Sequence, residues 1–161
     1  MRVRPPFLVL LGVVVASALL WQGVAFGLAV VRERREARVA AVEEIVRSLQ
    51  PATGFTHAPC MTESQVCMKG AALPEKSTGP VVAMLAPHAT ATESRCYKRF
   101  RIAPADCLVG AKVNGVIVAA WLSPGFLPER PIRFEGSDLS FMIVEGWYPS
   151  VEAFLDMQEG L

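Results

Sequence analysis

The segment LVGAKVNGVIVAAWL, residues 108–122, contains the strongest indication of tertiary structure in this chain. Asn114 and Gly115 separate two runs rich in β-branched and apolar residues. Asn-Gly is the pair best suited to a two-residue hairpin turn, because both turn residues need positive φ. The second run, 116–122, is too short to cross a membrane as a helix. The segment therefore predicts a β-hairpin whose second strand is central and buried on both faces.

The sequence around this hairpin predicts a small α+β domain. Residues 52–79 are rich in Gly, Pro, Ser and Thr, which is typical of an irregular loop, and Ser123-Pro124-Gly125 indicates a turn. After Pro149-Ser150, Val151, Phe154 and Leu155 share one face of a predicted C-terminal helix, residues 151–159. We expect a mostly antiparallel sheet of four or five strands with helices against it. Its further predicted strands are residues 80–86, 96–102, 132–134 and 139–147.

Residues 7–31, FLVLLGVVVASALLWQGVAFGLAVV, contain no charged side chain. As a helix these 25 residues would measure about 37 Å, whereas a bilayer core is about 30 Å thick. They predict a transmembrane helix in contact with the lipid bilayer, preceded by a short basic tail, residues 1–6. The alternative is a cleavable signal peptide, although the apolar run is longer than the hydrophobic region of such peptides.

Residues 32–50 predict an amphipathic juxtamembrane helix that continues from the span. Good helix formers dominate the segment, and Val39, Val42, Val46 and Leu49 follow a 3-4-3 spacing on one face. One interpretation is that this stripe packs on the chain's own head domain. The other is self-association, as a short coiled coil with another chain, although fewer than two heptads are present. We treat the four residues as candidates for interaction.

The four cysteines, Cys60, Cys67, Cys96 and Cys107, all follow the predicted helices. An even number in a small exported domain is typical of disulfides, and four cysteines allow three connectivities. Local pairs, Cys60–Cys67 and Cys96–Cys107, are the simplest of these; four reduced, buried cysteines are the alternative. The disulfide interpretation places the domain in an oxidising compartment.

The charges that flank the predicted span favour the opposite orientation, with the C-terminal domain in the cytoplasm. Arg32, Arg34, Arg35 and Arg38 follow it, whereas Arg2 and Arg4 precede it. The positive-inside rule would then keep the C-terminal side in the cytoplasm, but the rule is weak when a long domain follows. We therefore favour export of the domain.

The composition and motifs give no indication of an enzyme. The net charge is +1, which argues against a nucleic-acid partner because such domains are strongly basic. His57 and Cys60 form an H-x-x-C pattern, yet the cysteine spacings do not match those of zinc sites, and His88 is the remaining histidine. We expect no metal, no cofactor and no catalytic residue. Trp121 and Trp147 are candidates for a recognition surface or for the core.

Together these features predict four segments: residues 1–6, 7–31, 32–50 and a small exported α+β head, residues 51–161. The excess of Arg over Lys, 12 to 4, suggests a bacterial genome rich in G and C. We expect a single-pass protein of the bacterial inner membrane with a periplasmic head. It would bind other membrane or envelope proteins as an accessory or assembly subunit of a larger complex. The alternative is a membrane-tethered binding or inhibitor domain, of the immunity type, for a soluble ligand or toxin.

Overall fold

The computed structural model describes residues 5–60, 65–98, 103–127, 133–144, 146 and 148–159, apart from the side chains at positions 5–11, 13, 16, 127 and 159. The chain divides into two compact units, Met1–Ala37 and Arg38–Leu161. We refer to Arg38–Leu161 as the head unit. The division falls within the predicted juxtamembrane helix, residues 32–50.

In the first unit the described residues are helical. They belong to helix α1 (Pro5–Ser48), of which residues 38–48 are part of the head unit. Large apolar side chains such as Leu20, Trp21 and Phe26 are exposed along the helix. No helix among the described residues is long and apolar enough to cross a membrane, so the predicted span over residues 7–31 is not shown. Several side chains of that span, at positions 7–11, 13 and 16, lie outside the described set.

The head unit is built on one antiparallel sheet. In the described part of the unit, six strands lie in the order β1-β2-β6-β5-β4-β3. The strands are β1 (Phe55–Ala58), β2 (Val66–Gly70), β3 (Ala91–Tyr97), β4 (Asp106–Val113), β5 (Val116–Leu127) and β6 (Arg133–Val144). Two further helices, α2 (Pro74–Leu85) and α3 (Val151–Glu159), complete the unit, and a 3-10 turn (Ala86–His88) follows α2.

The larger core lies on one face of the sheet, which we call the α2 face. Val81 and Leu85 of α2 are buried there, together with Val42, Val46 and Leu49 from the end of α1 and the residue after it. Because side chains alternate between the two faces of a strand, each strand contributes every second residue. The strand residues of this core are Phe55, Met68, Cys107, Val109, Ala111, Val113, Val118, Ala120, Leu122, Leu139 and Phe141.

A smaller core lies on the opposite face, which we call the α3 face. Val151, Phe154 and Leu155 pack there against Leu108, Ile117 and Ala119 of β4 and β5. A side chain at Gly110 would collide with Val151, so the absence of a Cβ lets α3 approach β4 closely. The alternation of β4 and β5 between the two cores is why both faces of the predicted hairpin are apolar.

Several sequence predictions are confirmed. The chain has an α+β fold with an antiparallel sheet and a short C-terminal helix, Val151–Glu159. Asn114 and Gly115 have φ values of 50° and 79° and connect β4 to β5 as a hairpin. β5 is a central strand, and its residues from Ile117 to Ala120 are almost completely buried.

The predicted strand at residues 80–86 is wrong, because these residues belong mostly to helix α2. Pro74, Ser77, Val81 and Leu85 are its buried positions, and their 3-4-4 spacing is that of one helix face. A short apolar run does not by itself distinguish a helix from a buried strand. Burial of Val81 and Leu85 outweighs the backbone hydrogen bond that Pro80 lacks.

The predicted loop at residues 52–79 and the predicted strand at 96–102 also differ from the structure. The loop region contains β1, β2 and the beginning of α2. Strand β3 begins earlier than predicted and ends at Tyr97, while residues 99–102 lie outside the described set. The strands β1 and β2 are short; β1 pairs with β2, and β2 pairs with β6.

The predicted turn at residues 123–125 is a β-bulge. Strand β5 continues through Pro124 and Gly125 to Leu127, with a register shift against β6 between Pro124 and Phe126. A side chain at Gly125 would collide with the carbonyl oxygen of Glu135. Glycine and proline are common at bulges as well as at turns. Of the two predicted strands, 132–134 and 139–147, residues 133–134 and 139–144 accordingly lie within one strand, β6, whereas Gly146 lies beyond its end.

Candidate functional site

A groove of about 240 Å³ lies between the end of α1 and the strands β2 and β6 of the head unit. Its walls combine buried and half-exposed side chains, with Phe141 and Val46 at the buried side. Met142 also borders the groove, but it lies opposite Ala119 of β5, so alternation along the strand places its exposed side chain on the α3 face. The lining residues are Val39, Glu43, Val46, Arg47, Gln65, Val66, Phe141, Met142 and Ile143.

An ion pair borders this groove on the side of α1. Arg47 Nη2 lies 3.6 Å from Glu43 Oε2, and both side chains are exposed to about half or more. An exposed pair of this kind adds little to stability and can exchange its partner for a charge on another molecule. The groove thus combines an apolar floor with one charge of each sign at its border.

The size of the groove limits what it can hold. Pockets for cofactors and drug-sized molecules measure roughly 300–1,000 Å³, so this groove is smaller than most of them. It has the volume to take one or two side chains of another protein. Its described lining residues contain no arrangement of acid, base and nucleophile.

The four interaction candidates near the end of α1 lie in two different environments. Val42, Val46 and Leu49 are buried in the head unit's own core. Val39 is half-buried and lines the groove together with Val46. In this arrangement the sheet already covers most of the apolar stripe that a coiled coil would require.

The structure describes one of the two tryptophan candidates. Trp121 lies on β5 and packs, partly buried, against the core of the α3 face. Trp147 lies outside the described residues. The aromatic residue that lines the groove is instead Phe141, opposite Ala120 on β5.

All four cysteines are paired in two disulfides, Cys60–Cys67 and Cys96–Cys107. These are the local pairs that the sequence predicts as the simplest connectivity. A sulfur in a disulfide is neither a thiolate nucleophile nor a metal ligand, so the H-x-x-C pattern of His57 and Cys60 has no such role in the oxidised chain. His57 lies exposed on β1, and His88 is exposed at the end of the 3-10 turn.

The ionisable groups are mostly at the surface. In the described part of the chain, no three His, Cys, Asp or Glu side chains are grouped as a metal site would require. In the first unit, Arg32 Nε donates a 2.7 Å hydrogen bond to Glu36. This bond raises the pKa of the Arg32 guanidinium above its usual value, so Arg32 is charged at any physiological pH.

Most of the groove residues have no direct indication in the sequence. Val39 and Val46 were candidates because of their helical spacing, whereas Val66 and Gln65 fall in the segment predicted as a loop. The alternation of Val66 and Met68 is a weak strand signal that the surrounding Gly, Ser and Thr residues obscure. Contact between α1 and these strands depends on the tertiary fold.

Comparison with protein-family models, with curated proteins and with solved structures finds no match to this chain.

Proposed function

We propose that this chain is a single-pass membrane protein whose head unit binds another protein of the bacterial envelope, as an accessory or assembly subunit of a larger complex. The observation that supports this proposal most is the charge-free sequence of residues 7–31. Among its described side chains, Leu19, Leu20, Trp21 and Val24 point to different sides of α1 and are all exposed. A helix that is apolar all around needs an apolar environment, and a bilayer provides one.

The disulfides support export of the head. Two bridges in a small domain are typical of an oxidising compartment such as the periplasm. Under this proposal the four arginines after residue 31 lie on the periplasmic side, against the charge preference. A long following domain is known to translocate despite such charges.

The groove beside α1 supports a role in protein binding. It has apolar walls and an exchangeable ion pair at its border. We infer that the groove takes apolar side chains of the partner, with Glu43 and Arg47 selecting complementary charges.

The orientation is tested by labelling the four cysteines with a maleimide polymer in intact cells, with and without prior reduction. For an exported, disulfide-bonded head, we expect labelling only after reduction, since a disulfide does not react with maleimide. Labelling that needs no reduction but requires a permeabilised membrane would mean a cytoplasmic head and would contradict the proposed localisation.

The binding role is tested by placing a photo-crosslinking amino acid at Glu43 or Arg47 of the full-length chain in cells. We expect a discrete crosslinked product from these positions. The matched controls are Lys76 on α2 and Glu152 on α3, which are exposed elsewhere on the head unit. Equal crosslinking from all four positions, or none from any, would contradict a specific partner at the groove.

A further inference from the structure

Strand β3 is the last strand of the described sheet on the side opposite to β1. It has seven residues without a proline, ATESRCY, and pairs with β4 along its whole length. An edge strand of this kind presents a row of backbone donors and acceptors to which another strand can bind. The other edge strand, β1, has four residues, and short edges are protected from such pairing.

The spacing of the β3–β4 pair identifies the backbone groups that point outward. Cys96 and Cys107 are directly opposite each other, and their Cα atoms lie 4.0 Å apart. This is the spacing of a pair without mutual backbone hydrogen bonds, in which Cα atoms are about 4.5 Å apart rather than about 5.5 Å. Since the pattern alternates, the N–H and C=O groups of Thr92, Ser94 and Cys96 point away from β4.

Two opposite charges flank the central residue of this edge. Glu93 and Arg95 lie on either side of Ser94, and alternation places both side chains on the α3 face. Glu93 is exposed and Arg95 is partly exposed, with an ion pair to Asp156 of α3. Charges on an edge strand normally prevent pairing with other strands. In this case their signs and spacing make the edge complementary to itself.

We propose that β3 pairs antiparallel with β3 of a second copy of this chain, about a twofold axis at Ser94. The two six-stranded sheets then form one continuous sheet. In this register Ser94 faces its own equivalent, and Glu93 lies directly opposite Arg95 of the second copy. Twofold symmetry repeats that contact, so the interface contains two Glu–Arg pairs.

Neighbouring registers are less favourable. A twofold axis at Glu93 would place two carboxylates directly opposite each other, and an axis at Arg95 would place two guanidinium groups together, which is destabilising. The register centred on Ser94 also pairs all seven residues of β3. The Arg95–Asp156 ion pair is compatible with it, because a guanidinium has five N–H donors and can bind two carboxylates.

The first test measures the dissociation constant of the purified full-length chain in detergent by sedimentation equilibrium, for wild type and S94P. The outward N–H of Ser94 makes no bond to β4, so proline removes a donor of the interface but no hydrogen bond of the β3–β4 pair. We expect a wild-type dimer and a dissociation constant at least about tenfold higher for S94P, with a similar melting temperature. A monomeric wild type would overturn the proposal.

Charge variants test the same interface even if S94P does not fold. E93R makes this edge wholly basic and R95E makes it wholly acidic, so each variant alone should dimerise about tenfold more weakly, because like charges then face each other. Mixing the two variants should restore dimers, since the edges become complementary. A wild-type dimer whose dissociation constant is unchanged by E93R, R95E and S94P would show that the chain associates through another surface.

Cysteine crosslinking tests the register. Ser94 and its equivalent would have Cα atoms about 5.5 Å apart, within disulfide range, so S94C should form a covalent dimer on mild oxidation. K98C is the control, because Lys98 is also exposed but would lie about 27 Å from its equivalent in this register. Equal crosslinking of both variants, or of K98C alone, would exclude the axis at Ser94.

Discussion

At the scale of single residues, a few backbone positions define where elements of the head unit begin and turn. Asn114 and Gly115 both have positive φ and form the β4–β5 turn. Ser150 precedes α3, and its hydroxyl oxygen accepts a 3.1 Å hydrogen bond from the Ala153 N–H. Val113 and Val151, which are next to these sites in the chain, are buried in a core, so a local change at these sites alters the stability of a larger element.

Replacing Gly115 with Ala should destabilise the head unit by about 1 kcal/mol, because a Cβ is disfavoured at a φ of +79°. The measurement is chemical unfolding followed by circular dichroism. Asn114→Gly is the control, because glycine adopts positive φ freely, and we expect a change of less than about 0.5 kcal/mol. If both variants lost the same stability, the turn conformation would not be the cause.

Replacing Ser150 with Ala should cost about 1 kcal/mol, since the first turn of α3 loses its N-cap. Thermal unfolding at neutral pH measures the loss. Ser48→Ala is the matched control, because the Ser48 hydroxyl donates to the Ile45 carbonyl at the end of α1 and alanine is a good helix former. A stability loss in the control as large as that of Ser150→Ala would contradict the capping role.

At the scale of elements, helix α2 differs most from what local sequence patterns indicate, whereas the disulfide between β3 and β4 agrees with them. The run 80–86 predicts a strand. In the structure these residues belong mostly to helix α2, and their apolar side chains cover the α2 face of a sheet that other segments form. The Cys96–Cys107 bridge joins directly opposed residues of β3 and β4. It therefore links β3 covalently to the β4–β5 hairpin.

Replacing Leu85 with Ala should destabilise the head unit by about 2–5 kcal/mol, because Leu85 is 1% exposed and its truncation leaves a cavity. Urea unfolding is the measurement. Lys76→Ala, on the exposed side of the same helix, should change stability by less than about 0.5 kcal/mol. If residues 80–86 formed an exposed strand, Leu85→Ala would cost no more than this control.

Removing the Cys96–Cys107 bridge by changing both residues to Ala should cost about 3 kcal/mol. The estimate follows from the closed loop, whose ends are 11 residues apart. The comparison variant removes Cys60–Cys67, whose ends are 7 residues apart. It should lose less, because its cysteines are only half-buried whereas Cys107 is fully buried. Guanidinium unfolding without reductant measures both, and the reverse order would refute this ranking.

At the scale of the whole molecule, the two compact units have opposite surface character. The described side chains of the first unit include many exposed apolar residues, whereas the head unit buries most of its apolar residues in two cores. The proposed membrane anchor and the proposed dimer each involve one of these units. They can therefore be tested separately, because variants of β3 leave residues 7–31 unchanged.

Replacing Leu19 and Leu20 together with Arg should move the full-length chain from the carbonate-resistant membrane fraction to the soluble fraction. Each arginine near the centre of a span costs about 2.5–3.5 kcal/mol on insertion scales. The double alanine variant at the same positions stays apolar and should remain in the membrane fraction. Equal membrane retention of the two variants would contradict the proposed anchor.

The sequence alone determined the features that depend on neighbouring residues. The Asn114-Gly115 turn and the helix Val151–Glu159 follow from backbone preferences and capping over short distances. Each is specified by residues close together in the chain, so no knowledge of the fold is required.

The tertiary structure alone decided the features that depend on distant partners. Residues 80–86 are helical because the sheet offers them a face to cover, and Pro124-Gly125 forms a bulge because β6 lies beside it. Likewise, Val42 and Val46 are core residues because β4, β5 and β6 supply the other side of their contacts. Burial is a property of two surfaces that meet, and the sequence of one of them does not reveal the other.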